Sequence, residues 1–95
     1  MANVIVRIPT PLRSYTGGAE QVSVPGGTVG EVLQALNEIH AGIGERLLEA
    51  NGQLRNFVNL FVNSHNVRTL DGLNTPVADG DILAIVPAVA GGKLL

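Results

Sequence analysis

The sequence contains no cysteine, which excludes disulfide stapling, thiolate catalysis and cysteine-based metal sites. Aromatic residues are nearly missing as well, with one tyrosine, two phenylalanines and no tryptophan. Without rings to stack on bases, and with a formal net charge of −2 spread over the chain and no basic run, nucleic-acid binding is disfavoured and protein partners are expected. Long apolar runs are also lacking. The longest, Ile82 to Ala90, is too short to span a bilayer, and the N-terminus has no charged segment followed by an apolar one. These features predict a soluble, cytoplasmic protein with no membrane partner.

Lysine is represented by Lys93 alone. A chain ending at Gly92 would therefore carry neither a thiol nor a side-chain amine. A protein that holds an activated acyl group at its own end gains from this, because nothing within the chain can capture the group. So short a chain can equally lack a residue type by sampling alone.

What is present fits one small core. Ninety-five residues, 45% of them apolar, make a single domain that buries roughly 60–65% of its unfolded surface. Val, Ile and Leu supply most of that apolar content, which favours strands packed on one or two helices. Residues Asn3 to Ile8 place Val4, Val6 and Ile8 on one face and Asn3, Ile5 and Arg7 on the other, the period-2 pattern of a strand. Pro9 and Pro11 end it, Gly17-Gly18 makes a turn, and Glu20 to Val24 is a second strand broken by Pro25-Gly26-Gly27. Thr28 and Glu31 form the spacing of a capping box, in which each side chain accepts from the other residue's free N–H. Val29, Val32, Leu33, Leu36 and Ile39 then recur at helical spacing to about His40, with Gly42 as terminator.

Further on, Ile43 to Ala50 has the anchors of one or two extra helical turns, Leu47 and Leu48, closed by Asn51-Gly52. Phe57 to Asn63 alternates again and is expected to be a central strand, with Val58, Leu60 and Val62 on one face and Phe61 on the other. An extended piece at Asn66 to Arg68 follows, and Ala78-Asp79-Gly80-Asp81 turns tightly into a last strand, Ile82 to Val86. Strand, strand, helix, strand, short strand and last strand, with one main helix crossing one face of a mixed four- to five-stranded sheet, is the α+β β-grasp arrangement. The opposite face of the sheet is left for solvent or partners. Residues 1–87 make this domain, and 88–95 are expected to be a flexible tail.

The Asp-Gly turn, the apolar last strand ending at Pro87 and the tail Ala88-Val89-Ala90-Gly91-Gly92 together resemble the C-terminal signature of the MoaD/ThiS family of ubiquitin-like sulfur carriers. Ile8-Pro9-Thr10, Leu12-Arg13, Thr16-Gly17-Gly18, Gly42-Ile43, Glu45-Arg46-Leu47 and Phe57-Val58-Asn59 are most similar to the branch that serves thiocarboxylate-dependent cysteine synthesis. The resemblance implies a protein cosubstrate rather than an enzyme. Its working group would be the carboxylate of Gly92, presented by Gly91. An E1-like enzyme would adenylate it with ATP, and sulfur from sulfide or persulfide would displace AMP to give a thiocarboxylate. That sulfur would then attack an aminoacrylate on a pyridoxal-phosphate cysteine synthase. No cofactor is expected on the chain itself, and Gly26-Gly27-Thr28 lacks the lysine and spacing of a phosphate loop.

Glycine suits such a tail, because it has no Cβ to obstruct a narrow channel or the terminal carbonyl. Five residues from Ala88 to Gly92 reach about 17 Å when extended. As written, Lys93-Leu94-Leu95 mask Gly92, so cleavage between Gly92 and Lys93 is required. The resemblance implies a metalloprotease of the JAMM type, with an appendage of expression as the alternative. Phe61, Ile5, Ala84 and Val86 are candidate partner contacts on the open sheet face. His40 and His65 stand apart from other ligands and are not expected to hold a metal, Asp79 and Asp81 read as turn residues rather than an acid/base pair, and Arg7 and Arg68 stay unassigned. Conjugation to proteins through Gly92, and service as the small subunit of molybdopterin synthase, remain open alternatives.

Overall fold

A computed structural model of the chain describes residues 2–87. Within them, β1 (Asn3–Arg7) is followed by a 3-10 helix (Thr10–Thr16), β2 (Gln21–Pro25), α1 (Val29–Ile39), α2 (Ile43–Leu47), β3 (Val58–Val62), β4 (His65–Asn66), two 3-10 turns (Val67–Thr69 and Gly72–Asn74) and β5 (Ile82–Pro87). The strands form one mixed sheet in the order β2-β1-β5-β3-β4. β1 and β5 run parallel and every other neighbour pair is antiparallel. This is the ubiquitin-like β-grasp expected from the pattern, with one refinement. Phe57 to Asn63 supplies β3, an interior strand between β5 and β4 as expected, and the middle of the sheet is β5, which inserts between β1 and β3.

Alternation decides the layers. Val4, Val6, Val24, Val58, Leu60, Leu83 and Ile85 project from the sheet and are buried against Val29, Val32, Leu33 and Leu36 of α1. Ile43 and Leu47 of α2 extend the same cluster. Each such side chain contributes roughly 1.5–3 kcal/mol through removal from water. Ile39, the last residue of α1, departs from the expected stripe and is 55% exposed, whereas Leu36 in the same turn is fully buried.

The ends of α1 follow from specific polar contacts. The Thr28 hydroxyl accepts from Glu31 N–H at 3.2 Å, whereas the Glu31 carboxylate accepts from Gly27 N–H at 2.8 Å, one residue before the expected partner. The shift has a cause: Thr28 bridges to Pro76, and Val77 N–H donates to the Gly27 carbonyl, so a neighbouring segment already runs along this turn. At the other end the Asn37 carboxamide accepts from both Gly42 and Gly44 N–H, at 3.1 and 2.9 Å, and welds α1 to α2. α2 stops at Leu47, and Leu48 turns extended to bridge Leu54. The piece expected to be extended at Asn66 to Arg68 lies earlier: β3 and β4 are joined by the two-residue turn Asn63-Ser64, both at positive φ (49° and 80°). The chain then coils into a 3-10 turn.

No helix among the described residues is long and apolar enough to cross a membrane.

Candidate functional site

The route to the tail is β5, so the site begins with what fixes that strand. In the Ala78-Asp79-Gly80-Asp81 turn, Asp81 N–H donates to the Ala78 carbonyl at 3.0 Å and Gly80 sits at φ 86°, a conformation that favours glycine. The Asp81 carboxylate accepts from Ala78 N–H and from the Asn63 side-chain amide, each at 2.8 Å. Those two donors hold its pKa below the ordinary carboxylate value, the backbone N–H contributing most. Asp79 accepts from Asn3 N–H at 2.9 Å, tying the start of β1 to the start of β5. Both aspartates therefore act as turn residues. Among the described residues no three His, Asp or Glu side chains converge on a metal position.

β5 runs from this anchored corner to Pro87, which pairs with Val58. Gly91, Gly92 and Lys93 lie outside the described residues, as does the whole of 88–95.

Three of the four candidate contacts meet along β5 and its neighbours on the face away from α1. Ala84 stands between Arg7 of β1 and Phe61 of β3, and Val86 stands opposite Asn59. Ile5, the fourth, pairs with Ile82 on one side and Ser23 on the other. All four are half-buried, shielded only by neighbours on the same face. Ile82, 38% exposed, completes the patch and was not among the expected contacts, although it shares the parity of Ala84 and Val86 along the strand. Arg7, Gln21, Asn59 and Asn66 surround it, giving an apolar centre with a polar rim, the anatomy of a protein-binding surface.

Arg68 has a different role. Its guanidinium donates to the carbonyls of Arg55 and Val58, at 2.7 and 2.8 Å, and so clamps the approach to β3.

A second surface feature lies where β5 ends. Pro87 lines a cleft of about 500 Å³ together with Tyr15, Glu45, Arg46, Arg55 and Phe57. Arg46 Nε donates to the Tyr15 hydroxyl at 2.6 Å and Arg55 Nε donates to the Glu45 carbonyl at 2.9 Å. Phe57 is 45% exposed. These residues come from four separate segments, so no local spacing in the sequence announces the cleft.

Comparison with known proteins agrees with this geometry. The chain is 50% identical over 92 residues to the sulfur carrier protein CysO of Mycobacterium tuberculosis, covering 95% of this chain and 99% of the relative. The structure is similar to CysO in the crystal structure of the Amycolatopsis orientalis BexX/CysO complex, with a TM-score of 0.88 and 47% identity over 94% of this chain and 99% of that one. A third relative, small archaeal modifier protein 3 of Haloferax volcanii, is 42% identical over 65 residues, covering 68% of this chain and 70% of its own. The sequence profile of the ThiS family matches residues 6–92, from within β1 through the second glycine of the pair, and stops there. With its fold, its anchored last strand and its diglycine end all inside that match, the chain belongs to the ThiS family.

Proposed function

We propose that the chain is a sulfur carrier whose Gly92 carboxylate, exposed by removal of Lys93-Leu94-Leu95, is converted to a thiocarboxylate that supplies sulfur for cysteine biosynthesis. The observation that carries this reading is the family match ending at Gly92. The 50% identity to a protein named as a sulfur carrier supports the carrier part of it. In the first step a carboxylate oxygen attacks the α-phosphorus of ATP on an E1-like enzyme and pyrophosphate leaves. In the second, sulfide attacks the acyl carbon and AMP leaves, giving the thiocarboxylate directly. Where the sulfur comes from a partner's persulfide, the product is an acyl disulfide, and a second partner thiol releases the thiocarboxylate as it forms a disulfide with the first. The chain contributes a terminal acyl group and a surface to dock, not side-chain catalysis, while the partners supply ATP binding, the sulfur and, in a cysteine synthase, pyridoxal phosphate. A JAMM-type protease is the processing enzyme that fits a Gly92-Lys93 cut.

The open sheet face, with Phe61, Ile5, Ala84, Val86 and Ile82, is the docking surface for the activating enzyme in this scheme. Incubating a chain that ends at Gly92 with the E1-like enzyme, ATP and sulfide should give the mass change of one oxygen replaced by sulfur. Protein from the native host that always retains Lys93-Leu94-Leu95 and never acquires sulfur would refute the reading.

The likeness to a small archaeal modifier favours a second reading, attachment of Gly92 to lysines of other proteins. Gly-Gly remnants on those lysines after proteolytic digestion would identify it.

A further inference from the structure

The sheet face does not account for the cleft at the end of β5. Its charges are unusual for this chain. The formal net charge is −2, yet two guanidinium groups stand together here beside one carboxylate, that of Glu45. The single ion pair among the described residues is Arg13–Glu20 at 3.8 Å, so neither Arg46 nor Arg55 has a carboxylate within 4.0 Å there. Each is nevertheless held in place. The Nε of Arg46 is engaged by the Tyr15 hydroxyl, with the guanidinium carbon 5.9 Å from the ring centroid, and the Nε of Arg55 by the Glu45 carbonyl. Among the described residues no protein acceptor takes the terminal N–H groups of either fork. Anchoring at Nε therefore presents two pre-positioned forks, the geometry that receives a carboxylate through paired hydrogen bonds.

Position supplies the second argument. Pro87 is both a wall of the cleft and the last described residue before the tail. An enzyme that acts on the Gly92 carbonyl has its channel mouth within about 17 Å of Pro87, the extended reach of five residues. Its rim must therefore lie against the surface around Pro87, where it meets Arg46, Arg55 and the exposed ring of Phe57.

We propose that this cleft receives a carboxylate-bearing loop of the enzyme that draws in the tail, with an Asp or Glu side chain on the Arg46 and Arg55 forks and an apolar neighbour against Phe57. The inference rests on the carrier reading, in which an adenylating enzyme takes Gly92.

The test is ATP–pyrophosphate exchange by the E1-like enzyme of the source organism, with the chain ending at Gly92 as acyl substrate, at low and at high salt. The R46E/R55E double variant should raise KM for the carrier roughly 10- to 100-fold at low salt with kcat within about twofold, and the gap should shrink as salt screens the interaction. R46Q/R55Q retains a donor for the Tyr15 hydroxyl and the Glu45 carbonyl, guards against misfolding, and should raise KM roughly 5- to 20-fold. R46K/R55K, which keeps the charge but loses the fork and its Nε anchor, should fall between the glutamine variant and wild type, raising KM roughly 3- to 10-fold. A purely structural role for the arginines would give losses of equal size at both salt concentrations and would overturn the inference. So would wild-type KM in the glutamine variant. Absence of exchange with the wild-type chain would instead overturn the carrier reading, and with it this one.

Discussion

Gly26 joins β2 to α1 at a point where the backbone has no room for a methyl group. A Cβ there would stand 2.7 Å from Val32 Cγ2, 2.9 Å from Val32 N and 3.2 Å from Val32 Cα. Val32 is fully buried, and its N–H donates to the Thr28 carbonyl in the first turn of α1. Relief of Gly26→Ala therefore requires movement of the helix or of the strand end, not rotation of one side chain. Overpacking of this kind costs about 1–3 kcal/mol, and contact with backbone atoms places it in the upper half, about 2–3 kcal/mol. Alanine restricts the unfolded chain and returns about 0.4–1 kcal/mol, leaving a net loss of about 1–2.6 kcal/mol, centred on about 1.8 kcal/mol. For a domain of this size the midpoint of thermal unfolding should fall by roughly 4–21 °C.

Gly80→Ala makes the comparison informative. Nothing lies within 4 Å of its would-be Cβ, but φ is +86°, so the cost is left-handed backbone strain alone, about 1 kcal/mol net. Urea unfolding followed by far-UV circular dichroism should place the variants in the order wild type, Gly80→Ala, Gly26→Ala, with an unchanged slope against denaturant. A Gly26→Ala protein within about 0.5 kcal/mol of wild type would refute the reasoning, because it would mean that the β2–α1 junction yields freely.

Other positions make separate demands. Phe61→Asp, on the open face, should leave the fold cooperative and weaken binding to an activating enzyme by about 2 kcal/mol or more, measured by calorimetry; unaltered binding would remove the sheet face as the docking surface. Ser64→Gly, which relieves a serine at φ 80° in the β3–β4 turn, should stabilise by about 0.5–1 kcal/mol in urea titrations. Asp81→Ala should lose about 1–2 kcal/mol at neutral pH. Because the folded carboxylate has a depressed pKa, its contribution is present above the unfolded pKa and is lost as pH falls through the folded value. The gap between wild type and Asp81→Ala should therefore be constant near neutrality and close below about pH 4; a gap that widens in acid would contradict the assignment.

Periodicity was enough to identify every main element because one face of each is buried. Val4, Val6 and Ile8, or Val58, Leu60 and Val62, can satisfy a strand with a buried face in one way. Strand order was less accessible. The position of β5 between β1 and β3 depends on pairing between distant segments, which the alternation within Ile82 to Val86 does not specify. The capping-box spacing places Glu31 at the start of α1 but does not specify its donor, since the choice of Gly27 reflects Pro76 and Val77 passing alongside. The seven-residue 3-10 helix Thr10–Thr16 lacks helical apolar periodicity, and its Pro11 signals only the end of β1, so the pattern does not announce it. The diglycine is a local motif visible in the sequence and lies outside the described residues, whereas the Arg46–Arg55 cleft exists only after four segments meet.

The tail is continuous with β5, and β5 is flanked on both sides, by β1 running with it and by β3 running against it. A partner that grips the end of the chain thus pulls along the axis of the middle strand. Hydrogen bonds in both ladders lie across that pull and share it in shear, while the Asn63 and Ala78 contacts to Asp81 brace the far end. An edge strand would peel one bond at a time. A load applied at Pro87 is therefore met by both ladders at once, and the domain up to that residue is built to bear it intact.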